Sequence, residues 1–251
     1  MSIHPKSAHS NATSPSDFVS ILMPHHGLAT KTWTRQADGT WDKSSYTMGM
    51  IFSHQAYAFT GLSGLYEILE TVSRNPRAML VRARLKGGID PSEVYRRKDG
   101  NYNDGTDHLV EIEHHWLLLD FDDIRIGPHD LVGDPEAAIK LLIEQYLPPA
   151  YHGVSFIWQL SASAGMGDGP ERIRAHLFFM LDRPMGQDEL TEYHRHQAPA
   201  IDQAVFGTVQ PLYIAAPQFR GGFDPLPRRL GLVEYDVNPG AIIPHSSGQI
   251  V

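Results

Sequence analysis

The chain has no cysteine. Disulfide frameworks and cysteine-ligated zinc sites are therefore excluded. No apolar run approaches the ~20 residues that a membrane-crossing helix requires, so no membrane partner is expected. No G-x-x-x-x-G-K-[ST] stretch is present, which removes the Walker-type phosphate loop. Positive charge is scarce: 21 Lys and Arg against 29 Asp and Glu give a net charge of −8. That balance argues against broad, non-specific coating of nucleic acid but leaves room for a local basic groove. The stretch MSIHPKSAHSNATSPS is polar and lacks the apolar core of a signal peptide, so residues 1–16 read as a disordered leader. With no signal and no cysteine, a cytoplasmic setting is expected.

What is present suits a globular protein. The 251 residues are 41% hydrophobic and 20% charged, enough for a sizeable core in one compact catalytic unit. The 14 histidines are scattered. PHHG, EHHW and YHRH bring no further ligands at zinc-like spacing, so they read as structural or surface groups.

Leu62, Leu65, Leu69 and Val72 recur at helical spacing in GLSGLYEILETVSRNP, and Pro76 ends that helix. AMLVRARL reads as a strand, followed by a long polar loop over 87–107. HHWLLLDFD reads as a buried strand. GDPEAAIKLLIEQYLP reads as a helix with Asp134 as N-cap and Pro135 as its first residue. GVSFIWQLSAS and RIRAHLFFML form a hairpin around the glycine-rich AGMGDGPE. A helix is expected over 186–205, then strands in PLYIAAPQF and RRLGLVEY. The order is close to βαββαβ. It predicts an α+β protein with an RRM-like (ferredoxin-like) core over 111–251 and an additional N-terminal α/β lobe over 17–110, packed on the same sheet.

The chemistry begins at LLLDFDD, residues 117–123. Strand residues two apart share a face, so Asp120 and Asp122 project together, while Asp123 points away or enters the turn. Two such carboxylates suit Mg²⁺ or Mn²⁺. The plain reading of the same acids is a capped strand end. On the hairpin, Ser161 and Ser163 share one face, and Arg174 and His176 share another with Phe178. Arginine forks and imidazole N–H groups suit phosphate oxygens, and glycine-rich backbone amides can add to them. Asp202 is a third acid, on the expected helix 186–205.

In this order the motifs resemble the archaeo-eukaryotic primase superfamily, the primase–polymerases of plasmids, phages and mobile elements. LLLDFD matches its first motif. RAHLFF matches the second around His176, with Arg174 where serine is common, and AID at 200–202 matches the third. The resemblance spans about residues 78–235. It implies template-dependent nucleotidyl transfer, as a DNA primase or DNA polymerase, in a bacterial cell or the host of a plasmid or phage. It implies two divalent ions on Asp120, Asp122 and Asp202. It places the phosphates of a dNTP or NTP near His176, Arg172, Arg174, Ser161 and Ser163. Single-stranded DNA is the implied template, with Arg82, Arg84, Arg96, Arg97, Arg228 and Arg229 as candidate contacts. A replicative helicase is the implied partner, in cis or in trans. Many relatives carry a zinc element or a fused helicase, and this chain has neither cysteine nor a Walker motif.

Two other readings fit parts of the pattern. A replication-initiator nuclease of the His-hydrophobe-His kind would use HRH, 194–196, although the middle residue is Arg and the segment is expected to be helical. A non-catalytic RRM-like nucleic-acid binder would stack bases on sheet aromatics such as Phe178.

Overall fold

The computed structural model describes residues 16–167, 169 and 171–235. The expected leader lies outside that range except for Ser16, which opens the first strand. The far C-terminal part of the expected core also lies outside it.

The N-terminal half holds β1 (Ser16–Pro24), β2 (Thr32–Arg35), β3 (Trp41–Ser44), β4 (Ile51–Thr60), α1 (Gly61–Val72), β5 (Met79–Val81), β6 (Ala83–Leu85), β7 (Val94–Tyr95) and β8 (Leu109–Glu111). The C-terminal half holds β9 (His114–Arg125), α2 (Pro135–Tyr146), β10 (Phe156–Leu160), β11 (Arg172–Met185), α3 (Gln187–Gln197), β12 (Gln218–Arg220) and β13 (Leu230–Val233). The mixture of antiparallel sheets and helices is α+β, as the pattern predicts.

One four-stranded sheet has the order β13-β10-β11-β9. β11 lies between β9 and β10 and runs antiparallel to both, which is a split βαβ unit. In the ferredoxin-like plan the last strand borders the first; here β13 pairs with β10 instead. β9 is thus an edge strand of its sheet rather than a central one. Its outer side is covered by β1 and by the turn at 203–206, so Leu117, Leu118, Leu119 and Phe121 are still fully buried.

The N-terminal half packs onto that sheet, with α1 against β10, β11 and β13, but its strands do not join it. They form their own, in the order β5-β1-β4-β7, with a small β6-β8 pair. A third sheet, β12-β2-β3, borrows a strand from the C-terminal half. Both halves nevertheless share one core, in which Ile21, Leu65 and Leu69 pack with Trp116, Leu119, Ile139 and Phe178.

Local chemistry explains the other departures. AMLVRARL breaks at Arg82 into β5 and β6, which belong to different sheets. The helix after the hairpin stops at Gln197 because Ala198 precedes Pro199 and leaves the helical region, with φ −146° and ψ 65°. Of PLYIAAPQF only Gln218 and Phe219 enter a strand, and Leu212 makes a single bridge to Leu80. α2 begins as expected: the Asp134 side chain accepts from the Ala137 amide at 3.0 Å, and Pro135 follows it.

Candidate active site

β9 and β11 set two of the site's residues directly opposite each other. Asp120 pairs with His176 in the antiparallel register, and His176 pairs with Gln159 on β10. The three side chains run in a row across three strands. Gln159 Nε2 donates to the Ile214 carbonyl at 2.5 Å, so its oxygen meets His176 Nδ1, at 3.1 Å. Nδ1 is therefore the donor, and Nε2 faces Asp120 Oδ1 at 3.4 Å. A second residue thus fixes the imidazole's orientation.

The third acid is brought in by the backbone. The Asp202 amide donates to the Asp120 carbonyl at 3.0 Å. Asp202 is expected on the helix over 186–205, but α3 ends at Gln197; Asp202 instead caps the short turn Gln203–Phe206, its carboxylate accepting from the Ala204 amide at 3.0 Å.

A β-bulge shapes the strand end. Ile124 pairs with Ile173 and Phe121 with Ala175, so Asp122 and Asp123 together oppose Arg174. Asp123 takes φ +61°, a left-handed conformation that Asp tolerates better than most residues. Arg174 pairs with Asp122 and, at 3.2 Å, with Asp123. The simple alternation that sends Asp123 to the opposite face fails at this bulge.

Asp120, Asp122, Asp202, His176 and Ser161 line one cleft of about 210 Å³. Three sequence-distant segments thus converge on a single cavity. Burial pushes the Asp120 carboxyl above the usual carboxylate range; Asp122 and Asp202 push the same way, against His176 and Lys31. The cleft is a place where negative charge is crowded.

The other expected phosphate groups divide. Ser161 and Ser163 sit in the turn after β10 rather than on the strand. Ser163 Oγ is bonded to Lys31 Nζ at 2.7 Å. Arg174 adjoins the cleft through Asp122, but Arg172 lies further out, bonded to the Asp123 carbonyl at 2.8 Å and its carboxylate at 2.9 Å. The hairpin loop contributes Ser161 and Ala162 to the cleft.

The basic clusters fare differently. Arg82 is not a surface group: it is fully buried, donating to the carbonyls of Trp116 at 2.5 Å and Met185 at 3.0 Å. A nucleic-acid contact through Arg82 is thereby ruled out for the folded chain. Arg229 is also held internally, by Asp224 at 2.6 Å and by the carbonyls of Ser161 and Ala164. Arg97 bonds Asp104 and Thr106 within its own loop and lies over Tyr102. Arg96 donates to the Val209 carbonyl. Arg228 lies over Trp158 and pairs with Glu136 at 3.0 Å. Arg84 is exposed.

Sequence reasoning missed four residues of the site. Gln159 carried a signal: it is the one polar residue in the buried strand FIWQL, and a buried amide needs partners. Tyr46 and Tyr213 carried none. They come from loops of the two halves and stack with ring centres 3.7 Å apart and planes 9° from parallel, both lining the cleft. Burial raises both phenols, so their hydroxyls remain protonated donors at neutral pH. Lys31, a lone lysine ahead of β2, was equally silent. Burial and the neighbouring Lys43 lower its proton affinity, against Asp122 and Asp120.

The donor set fits a hard divalent cation in kind, with three carboxylates crowded around one cavity. It does not yet fit in arrangement. Among the described residues, no three His, Asp or Glu side chains stand close enough together to hold an ion. The reason is visible: Asp122 is turned to Arg174 and Asp202 to its own turn.

Comparison with known proteins gives no matching family model, no matching curated protein and no matching solved structure.

Proposed function

We propose that the chain catalyses template-dependent nucleotidyl transfer, joining a 3′-hydroxyl to the α-phosphate of an incoming nucleotide, as a DNA primase or DNA polymerase of the archaeo-eukaryotic primase kind. The observation that carries this reading is the convergence of Asp120, Asp122, Asp202 and His176 on one cleft from three separate segments. The cleft lining offers contacts for both parts of a nucleotide. The stacked Tyr46 and Tyr213 offer an aromatic wall to a planar base. Lys31 in the cleft and Arg174 beside it offer donors and positive charge to phosphates.

Asp120, Asp122 and Asp202 would hold the divalent ions, Mg²⁺ or Mn²⁺, which supply charge neutralisation and an acidified hydroxyl. Asp122 would have to turn from Arg174 to join them, and Arg174 keeps its pair with Asp123 at 3.2 Å. His176, oriented by Gln159, presents Nε2 at the cleft. The chain's own contribution is position and electrostatics: a fixed imidazole, oriented donors and a partly enclosed cavity.

The helical HRH segment gives the nuclease reading no support. His194 is fully buried, with Nδ1 on the Leu190 carbonyl and Nε2 on Tyr151, both at 2.7 Å. A non-catalytic RRM-like binder would leave the crowding at Asp120 without a purpose. Phe178, its candidate stacking residue, is fully buried.

The test is incorporation of labelled nucleotide on single-stranded DNA and on a primed template, with Mg²⁺ or Mn²⁺. Product is expected with either ion and none in EDTA. Product formed equally well by the Asp120→Ala, Asp122→Ala double variant would sink the proposal.

A further inference from the structure

Lys31 reaches the cleft because the chain on either side of it is fastened to the other half of the molecule. The Thr30 hydroxyl lies 3.0 Å from each of the Ala215 and Ala216 carbonyls. The Lys31 carbonyl accepts from the Gln218 amide at 2.9 Å, where β2 and β12 begin their parallel pairing. Trp33 Nε1 donates to the Ala162 carbonyl at 2.9 Å. Thr30, Lys31 and Trp33 are thus held against segments of the C-terminal half that adjoin the site. The side chain left pointing inward is a lysine.

Its surroundings distinguish a ligand-binding lysine from a simple counter-ion. Asp120 and Asp122 face it, as do the cations Lys43 and Arg174. Yet the acids take other partners: Asp120 faces His176, and Asp122 pairs with Arg174. Lys31 Nζ instead donates to a neutral hydroxyl, Ser163 Oγ, at 2.7 Å, with the Tyr46 ring centre 5.7 Å away. An ammonium has three donors, and Ser163 takes one of them. Among the described residues Nζ makes no other hydrogen bond, and Lys31 lines the cleft together with a second hydroxyl, Ser161.

We propose that Lys31, anchored by Ser163, is the N-terminal half's contribution to substrate binding, holding the terminal phosphates of a nucleoside triphosphate in the cleft. The inference rests on the nucleotidyl-transfer reading and adds to it a residue that lies outside the three acidic and histidine motifs. A compact ammonium is a point-charge phosphate ligand, so it recognises how many phosphates the ligand carries rather than which base.

The experiment is calorimetric binding of dATP, dADP and dAMP to the full chain, in magnesium buffer without template. Wild type, Lys31→Gln and Lys31→Arg are compared. Wild type should prefer dATP over dAMP. Lys31→Gln should lose about tenfold or more in dATP affinity, the worth of one charge-assisted bond, while dAMP binding stays unchanged. Lys31→Arg should keep most of the preference. A folded Lys31→Gln variant with the full triphosphate preference would overturn the inference. So would an equal loss for dATP and dAMP, which is what a purely structural clamp predicts. Asp120→Asn separates the two claims. If that variant still incorporates nucleotide at the wild-type rate, nucleotidyl transfer at this cleft falls, whatever Lys31 does. If incorporation is lost but Lys31→Gln binds like wild type, only the Lys31 assignment falls.

Discussion

The two ends of β9 carry similar residues in opposite situations. At its start, His114 and Asp17 meet at 2.9 Å beside the buried Arg82. Asp17 also accepts the amides of Phe18 at 2.7 Å and His115 at 2.6 Å. Burial alone would raise the Asp17 carboxyl, but His114 and those amides outweigh it and hold it below the usual range. Burial lowers Arg82 to about 10, which still leaves it charged at neutral pH. Asp17 and Arg82 are both matched by partners inside the fold. At the other end, Asp120 is raised by burial and by two further acids, and it faces a cleft. Buried polar groups with closed partner sets stabilise a fold, whereas a crowded, incompletely matched set beside a cavity is poised for a ligand. Charge and burial alone do not tell the two apart; the partner list does.

The sharpest way to break this comparison is to damage the closed end. Arg82→Leu removes the donor to two buried carbonyls and the cation near Asp17. It is expected to cost about 3–5 kcal/mol in urea unfolding, with specific activity of the folded fraction retained. Next in size is the response to acid. His194 is held down at about 4 against an ordinary 6.5 by burial. Below pH 6.5 the unfolded chain takes up a proton that the folded chain refuses. Stability is therefore fully present above 6.5 and falls as the pH drops to about 4, by roughly 3 kcal/mol over the window. His194→Gln should flatten most of that slope; His54 and His114, also depressed by burial, account for what remains.

At the open end the sign is expected to reverse. Asp120→Asn removes a carboxylate whose ionisation the fold disfavours, so unfolding experiments at neutral pH should show stability unchanged or raised while activity is lost. The smallest effect is predicted for Arg228→Ala. Its side chain is half exposed, and its pair with Glu136 is a surface one. Stability should move by less than about 1 kcal/mol, and incorporation should not change.

Much of this contrast was legible in the sequence where the signal was local. α1 and α2 follow from periodicity and from the Asp134–Pro135 start. Asp120 and Asp122 follow from strand alternation, and their meeting with His176 from the order of motifs. What was not legible depends on long-range packing. Arg82 looked like one of a basic cluster, because nothing in VRARLK says that the strand breaks there and turns that residue inward. The bulge at Asp122 and Asp123 is a property of the β9–β11 pairing and has no one-strand signature. Lys31, Tyr46 and Tyr213 reach the cleft only because β2 pairs with β12 across the two halves. The order of the sheet, with β13 beside β10, likewise depends on which edge the chain returns to.

The comparison reduces to one measurement: nucleotide incorporation on primed single-stranded DNA, with Mn²⁺, by wild type, Asp120→Asn and Arg82→Leu, each normalised to its folded fraction. The account predicts product from wild type and Arg82→Leu at similar rates and a loss of about a thousandfold or more in Asp120→Asn, as expected when a group central to transition-state electrostatics is removed. Equal rates for Asp120→Asn and wild type, or no product from wild type, would contradict it.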